Sequence, residues 1–257
     1  MQKLFCMAGC LVALMGAPGQ AKSLLVFAGA AAKPPLEEIA KLYEQKYGVK
    51  VECTFGGSGT LLSQMILARR GDVYIPGSDD FMDTAEKKGA VAKGKRKLVC
   101  YLMASICVQK GNPKGIRRLE DLARPGVRVG IAQPEAVCLG DVALEVFRIT
   151  GLKEKIWPNI VTQAASCEQT ATILKLKQVD AVIGWDVFAK WHPDDIQILP
   201  LPKAAQRWRY IPAAVTKFAT DPVEAQRFVN FVCSKTGKAI FKKYGYTIHL
   251  PKQPRKQ

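Results

Sequence analysis

Phe55-Gly56-Gly57-Ser58-Gly59-Thr60 closes one pattern and opens another. Residues 49–54, Val-Lys-Val-Glu-Cys-Thr, read as a strand, and residues 61–68, Leu-Leu-Ser-Gln-Met-Ile-Leu-Ala, begin a helix. The glycines permit a tight turn and let a ligand approach the backbone. Ser58 or Thr60 can cap the helix, whose first N–H groups point outward with the positive end of the dipole. A strand, a glycine-serine turn and a helix start together form a small-anion site. Many α/β turns share this pattern and bind nothing. The signal gains weight from a second such turn one unit earlier, across residues 28–35.

Working outward, residues 23–28 form a short apolar run suited to a buried parallel strand. Pro34 and Pro35 fit a first helical turn. Leu36, Ile39, Ala40 and Tyr43 then recur at helical spacing until Gly48 ends the helix. Residues 72–75 predict a third strand, and Ser78 a cap for a helix over 79–88. Residues 98–108 predict a long apolar strand, and residues 132–140 a loop into a helix over 141–150. Ser166 caps a helix running to residue 177, before a strand over 179–185. Residues 209–215 are a strand containing Pro212, which suits an edge or a crossover. A helix over 222–234 follows, with Val223, Phe228, Val229 and Val232 as core candidates, then another over 237–244. Strands alternating with helices predict an α/β fold with parallel sheets.

The chain has 257 residues, 48% hydrophobic and 23% charged, with formal net charge +16. That suffices for one large domain or two lobes. The charge raises nucleic acid as a partner. The basic residues are scattered, however, without zinc-finger, helix-turn-helix or RNP patterns, so nucleic acid is not expected. A positive field of this size instead raises the local concentration of anions. Residues 1–22 read as a signal peptide: Lys3, an apolar run, then Gly19-Gln20-Ala21. The apolar run is too short for a membrane span, so an extracytoplasmic, periplasmic protein without membrane insertion is expected. Six of the eight cysteines remain after cleavage. Disulfides can persist outside the cytoplasm, and six cysteines allow about 15 pairings. No CxxC spacing occurs, and only His192 and His249 are present, so no zinc, haem or other cofactor is expected.

An enzyme is disfavoured. The turn at Ser58 misses the nucleophile elbow by its last residue. His192 reads as a surface loop residue, and His249 lies near a basic tail over 251–257 that is expected to be flexible.

Val26-Phe27-Ala28-Gly29-Ala30, Leu36-Glu37-Glu38-Ile39, the Ser58 turn, Asp72-Val73-Tyr74-Ile75 and residues 241–248 together resemble the periplasmic molybdate-binding protein family. The resemblance runs from about residue 24 to residue 248. It implies a type II solute-binding protein: two α/β lobes, each a mostly parallel sheet flanked by helices, closing on an anion. Lobe I would combine 23–104 with 208–250, and lobe II would span 105–207. The implied partners are a small oxyanion, molybdate or tungstate, and the permease of an ABC transporter. A monomer is usual for the family. The resemblance assigns ligand contacts to Ser58, to Ala31 where the family has a serine, to backbone N–H groups at Leu139 and Cys167, and to Trp185 where the family has a tyrosine. Ala32, Lys33, Gly57 and Cys138 are possible additional contacts. The hydroxyls missing at Ala31 and Trp185 leave open a different anion or a carboxylate, with a sensor or adhesin-like role as the alternative. Cys138 and Cys167 would sit in the second-lobe wall, either as a disulfide or as free thiols. Glu168 is either a pocket acid or a helix-start carboxylate, and Asp186 a cap or a cation ligand.

Overall fold

The alternation read in the sequence becomes a continuous sheet in the computed structural model, which describes residues 23–250. The expected signal segment and basic tail lie outside the described residues. In chain order the first elements are β1 (Ser23–Gly29), α1 (Lys33–Tyr47), β2 (Lys50–Gly56), α2 (Ser58–Ala68), β3 (Val73–Ile75), α3 (Asp79–Lys87) and β4 (Lys97–Gln109). Next come β5 (Val129–Ala132), α4 (Cys138–Ile149), α5 (Lys153–Ile156), β6 (Ile160–Ala164), α6 (Cys167–Lys175), β7 (Ala181–Trp185), α7 (Phe188–Trp191) and β8 (Ile196–Leu199). The last are β9 (Trp208–Val215), α8 (Pro222–Val232) and α9 (Lys235–Lys243).

The strand order is β2-β1-β3-β9-β4-β7-β5-β6, with β8 also paired to β4. β1 runs parallel to β2 and β3, and β5 runs parallel to β6 and β7. Two parallel triplets are thus joined by antiparallel β9 and β4. The expected α/β class with mostly parallel sheets is what the chain adopts.

β4 holds the two triplets together. Its residues 97–103 pair with β9, and its residues 104–109 pair with β7 or β8. Its burial is nearly continuous from Ala104 to Gln109, as a doubly covered strand requires. Pro212, on β9, lies opposite Leu98; β9 is one of the two strands that join the triplets, so of the two expected placements Pro212 takes the crossover. It is tolerated because the register slips between Leu98 and Cys100 there.

Local signals decide several element ends. Pro34 and Pro35 open α1, and Gly48, at φ 67°, closes it in the left-handed region. Ser166 caps α6, accepting from Gln169 N at 3.1 Å. Asp221 and Ser234 cap α8 and α9 in the same way. Two expectations fail. α4 begins at Cys138, three residues before the predicted start, with Val137 at the cap position and no side-chain cap. Val223 is 75% exposed and so not in the core, because the first turn of α8 faces outward there. Phe228, Val229 and Val232 are buried as expected.

Two acids, buried Asp72 and half-buried Asp186, brace the sheet through backbone groups. Asp72 accepts from Leu25 N at 2.7 Å and from Thr220 N at 2.8 Å. Asp186 holds β4 where it changes partners: its Oδ1 accepts from Met103 N at 3.2 Å, and its own N donates to Met103 O at 2.9 Å. Asp186 is therefore a backbone brace, and no cluster of metal-ligating side chains occurs among the described residues.

Burial pushes the Asp186 carboxyl up to about 6, against the backbone N–H groups that lower it. Folding therefore favours its protonated form, a contribution fully present below about pH 4 and lost as pH rises through about 6. Wild type should gain about 2 kcal/mol on Asp186→Asn between pH 7 and pH 4. Urea unfolding of both proteins across that range measures it. Parallel pH profiles would show that Asp186 does not carry this linkage.

Candidate functional site

Helix starts lie at residues 30, 58, 79, 138 and 167 around Ser58. Ser58 opens α2 and is 2% exposed. It caps nothing, contrary to expectation, and neither does Thr60; Gly57 occupies the cap position. The Ser58 hydroxyl instead accepts from Gly77 N at 3.0 Å, and its carbonyl accepts from Tyr74 Oη at 2.9 Å. Tyr74, fully buried on β3, thus fixes the turn from below. A hydroxyl that accepts one bond keeps its proton for a ligand.

Gly77 is the centre of the cluster. A Cβ on it would lie 2.9 Å from Cys138 Sγ, 3.5 Å from Ser58 Oγ and 3.7 Å from Ala31 Cβ. A Cβ on Gly29 would lie 2.6 Å from Gly77 N and 3.1 Å from Ser58 Oγ. Ala31, Ser58 and Cys138 therefore surround one point where two glycines leave room. Ala31 and Ala32 are fully buried in a single 3-10 turn, and the Ala31 carbonyl accepts from the Tyr246 hydroxyl.

Cys138 and Cys167 are each the first residue of a helix. The earlier start of α4 places Leu139, also fully buried, in the first turn, where helical N–H groups have no partner within the helix. The disulfide expected as one alternative is absent: both cysteines are free. The Cys138 thiol lies within hydrogen-bonding reach of the Cys167 thiol, and that contact, with burial, raises it well above the usual thiol range. All six cysteines among the described residues are free.

Trp185 is fully buried at the end of β7 opposite Ala104, and its indole N–H is buried without a partner. No hydrogen bond joins it to Ser58 or Ala31 among the described residues. Lys33, the first residue of α1, pairs with Glu168 on α6 at 2.8 Å. Glu168 is thus the partner of a half-exposed ion pair that links the two triplets. Such a pair contributes about 0–1 kcal/mol. Two arginines from the β9 side hold α4 more firmly: Arg207 and Arg209 donate to the two oxygens of Glu145 at 2.7 and 2.6 Å.

The glycines of the Ser58 turn serve a different purpose from the one the sequence suggests. A Cβ on Gly57 would lie 2.7 Å from Ala136 O and 3.1 Å from Ala165 O. One on Gly59 would lie 2.6 Å from Glu135 O and 2.8 Å from Phe81 Cε1. Gly59 N donates to Ala136 O at 3.0 Å. The turn is bare so that the loops before α4 and α6 can press against it.

The sequence reading assigned Gly77 no role and took Ser78 only as a cap. Ser78 is fully buried at the cap position of α3, its side chain makes no cap bond, and its hydroxyl makes no hydrogen bond of good geometry, with only the weakly bonding Cys138 thiol beside it. The available signal was Pro76-Gly77-Ser78, a strand-turn-helix junction built like the Ser58 turn. Beside it, burial raises the Asp79 carboxyl above its usual range. No lysine or arginine is among the buried residues described. What the cluster offers an anion is hydroxyls, thiols and helix-start N–H groups, the donor set that holds anions without a counter-charge.

This chain belongs to the bacterial extracellular solute-binding protein family, which it matches over residues 24–247. It is similar to a binding protein of Haemophilus influenzae, 31% identical over 228 residues, covering 88% of this chain and 91% of that one. It is also similar to the molybdate-binding protein ModA of Mycobacterium tuberculosis, 28% identical over 227 residues, covering 88% of this chain and 85% of that one. Among solved structures it resembles L-phospholactate-bound PEB3, with TM-score 0.71 and 25% identity, covering 88% of this chain and all of that one. PEB3 is a protein of Campylobacter jejuni. The family resemblance read in the sequence is borne out. No helix among the described residues is long and apolar enough to cross a membrane.

Gly57→Ala and Gly59→Ala should each lose about 1–3 kcal/mol in urea unfolding, because backbone must move to admit the new Cβ. Gly56→Ala is the control: its Cβ would meet Leu61 Cδ2 at 3.5 Å, an ordinary contact. Equal effects at all three positions would refute the close-approach account.

Proposed function

We propose that this protein captures a small oxyanion, molybdate or tungstate first, between two lobes and delivers it to the permease of an ABC transporter. The lobes in this reading are residues 23–104 with 208–250, and residues 105–207. The observation that carries it is the meeting of Ser58, Ala31 and Cys138 at Gly77, within a cluster of helix starts that holds no buried cation. Ser58 donates its hydroxyl proton to the anion, and the backbone N–H groups of Ala31, Leu139 and Cys167 complete the shell. Charge-assisted bonds of about 1.5–3 kcal/mol each are enough for tight binding by several neutral donors. The relatives named for molybdate binding support the choice of ligand.

The chain acts as a binding protein in this reading, not as an enzyme. Ser58 Oγ is engaged by Gly77 N, and no histidine bonds to it among the described residues. The fold family and the expected signal peptide support an extracytoplasmic location.

A second reading, a phosphorylated small acid, has its own observation. A cavity of about 330 Å³ opens beside Ala30 and is lined by Lys33, Lys190, His192 and Tyr244 together with the carboxylates Glu37 and Glu168. In this reading the cavity, which borders the turn that carries Ala31, would hold the organic part of the ester. The L-phospholactate bound to PEB3 is a ligand of that type.

Calorimetric titration with molybdate, tungstate, sulfate, phosphate and phospholactate tests both. Submicromolar binding of molybdate or tungstate supports the first, and preference for phospholactate supports the second. Ser58→Ala should weaken whichever anion binds by about 10- to 100-fold, one charge-assisted bond's worth. An affinity unchanged by Ser58→Ala would remove Ser58 from the site.

A further inference from the structure

We infer that the Ser78 hydroxyl is a direct ligand of the bound anion and replaces the hydroxyl missing at Ala31. The inference rests on the oxyanion reading above and extends it to a residue that reading does not use.

Buried hydroxyls in folded proteins nearly always have a partner. Ser78 is fully buried, and its Oγ makes no hydrogen bond of good geometry; the only polar group identified beside it is the Cys138 thiol, a weak partner. It stands at the cap position of a nine-residue helix with the extended backbone of a cap, φ −158° and ψ 163°. A serine there normally accepts a bond from an N–H two or three residues on. Ser166 and Ser234 do so at 3.1 and 3.3 Å, whereas Ser78 does not. Both the hydroxyl and the start of the helix are left for a third group.

The position of Ser78 says what that group is. It follows Gly77, whose N–H fixes the Ser58 hydroxyl and whose Cα faces Cys138 Sγ and Ala31 Cβ. The Cys138 thiol lies beside Ser78. Two serine hydroxyls thus flank one glycine, with Ala31 facing it where the family resemblance expects a serine. Asp79 and Asp80 follow in the first turn of α3 and oppose an anion there. The attraction at this end of the site must then come from the hydroxyl itself, as an O–H donor to an oxyanion oxygen.

Ser78→Ala separates this role from a structural one. A hydroxyl whose only neighbour is a weakly bonding thiol contributes little to the folded state, so its removal should leave the melting temperature nearly unchanged. The affinity for molybdate, sulfate or inorganic phosphate, whichever the wild type binds by calorimetry, should fall at least 10-fold. Affinity within twofold of wild type overturns the inference while leaving the oxyanion reading intact. A drop of several degrees in melting temperature also overturns it, because it would mean that the hydroxyl has a structural partner. If the wild type binds none of the three anions, the oxyanion reading fails and this inference fails with it.

Discussion

One strand fixes the relation between the two parallel triplets. β4 is thirteen residues long and spends its first half on β9 and its second on β7 and β8. A ladder has a register, and a slip by one residue would turn every side chain to the other face. The change of partner falls between Met103, opposite Trp208, and Ala104, opposite Trp185. Asp186 bonds to Met103 from one side, and Ala104 N donates to Arg207 O on the other. The meeting of the helix starts at residues 58, 79, 138 and 167 is a consequence of this junction. They come from both triplets, and none is near another in sequence.

What the junction assembles is a polar site without buried cations. Among the described residues no lysine or arginine is buried. Inside, the donors are neutral groups at helix ends, held by specific supports: Tyr74 under Ser58, Tyr246 on Ala31, and Arg207 with Arg209 on α4 through Glu145. Burial raises the Glu145 carboxyl, but the hydrogen bonds from the two arginines outweigh this and hold it below the usual range. A carboxylate kept ionised in this way is a firm anchor for the helix that carries Cys138.

The sequence was legible where structure is decided locally. Strand and helix alternation, Pro34-Pro35, Gly48 and the Ser166 cap each depend on a few adjacent residues, and each reads correctly. The start of α4 at Cys138 did not, because Val137 offers no capping side chain and packing alone sets that boundary. The purpose of Gly57 and Gly59 was also hidden. Neither has a positive φ, so conformational freedom is not what they supply. They are needed for the space taken by carbonyls roughly 80 to 110 residues away, at Glu135, Ala136 and Ala165. Ser78 was visible as a helix cap, but only the fold shows that its hydroxyl caps nothing.

The unpaired cysteines have a consequence for how the chain matures. Burial pushes Cys53 to about 12 and Cys233 to about 11, and raises Cys100 and Cys107 as well. Oxidation begins from the thiolate, so these folded thiols are nearly inert. The unfolded chain has no such protection, so an oxidant present while it folds would reach every thiol. Under oxidising conditions folding would compete with cross-linking until the core closes over the sulfurs. Reducing conditions during refolding would widen the margin without altering the finished protein.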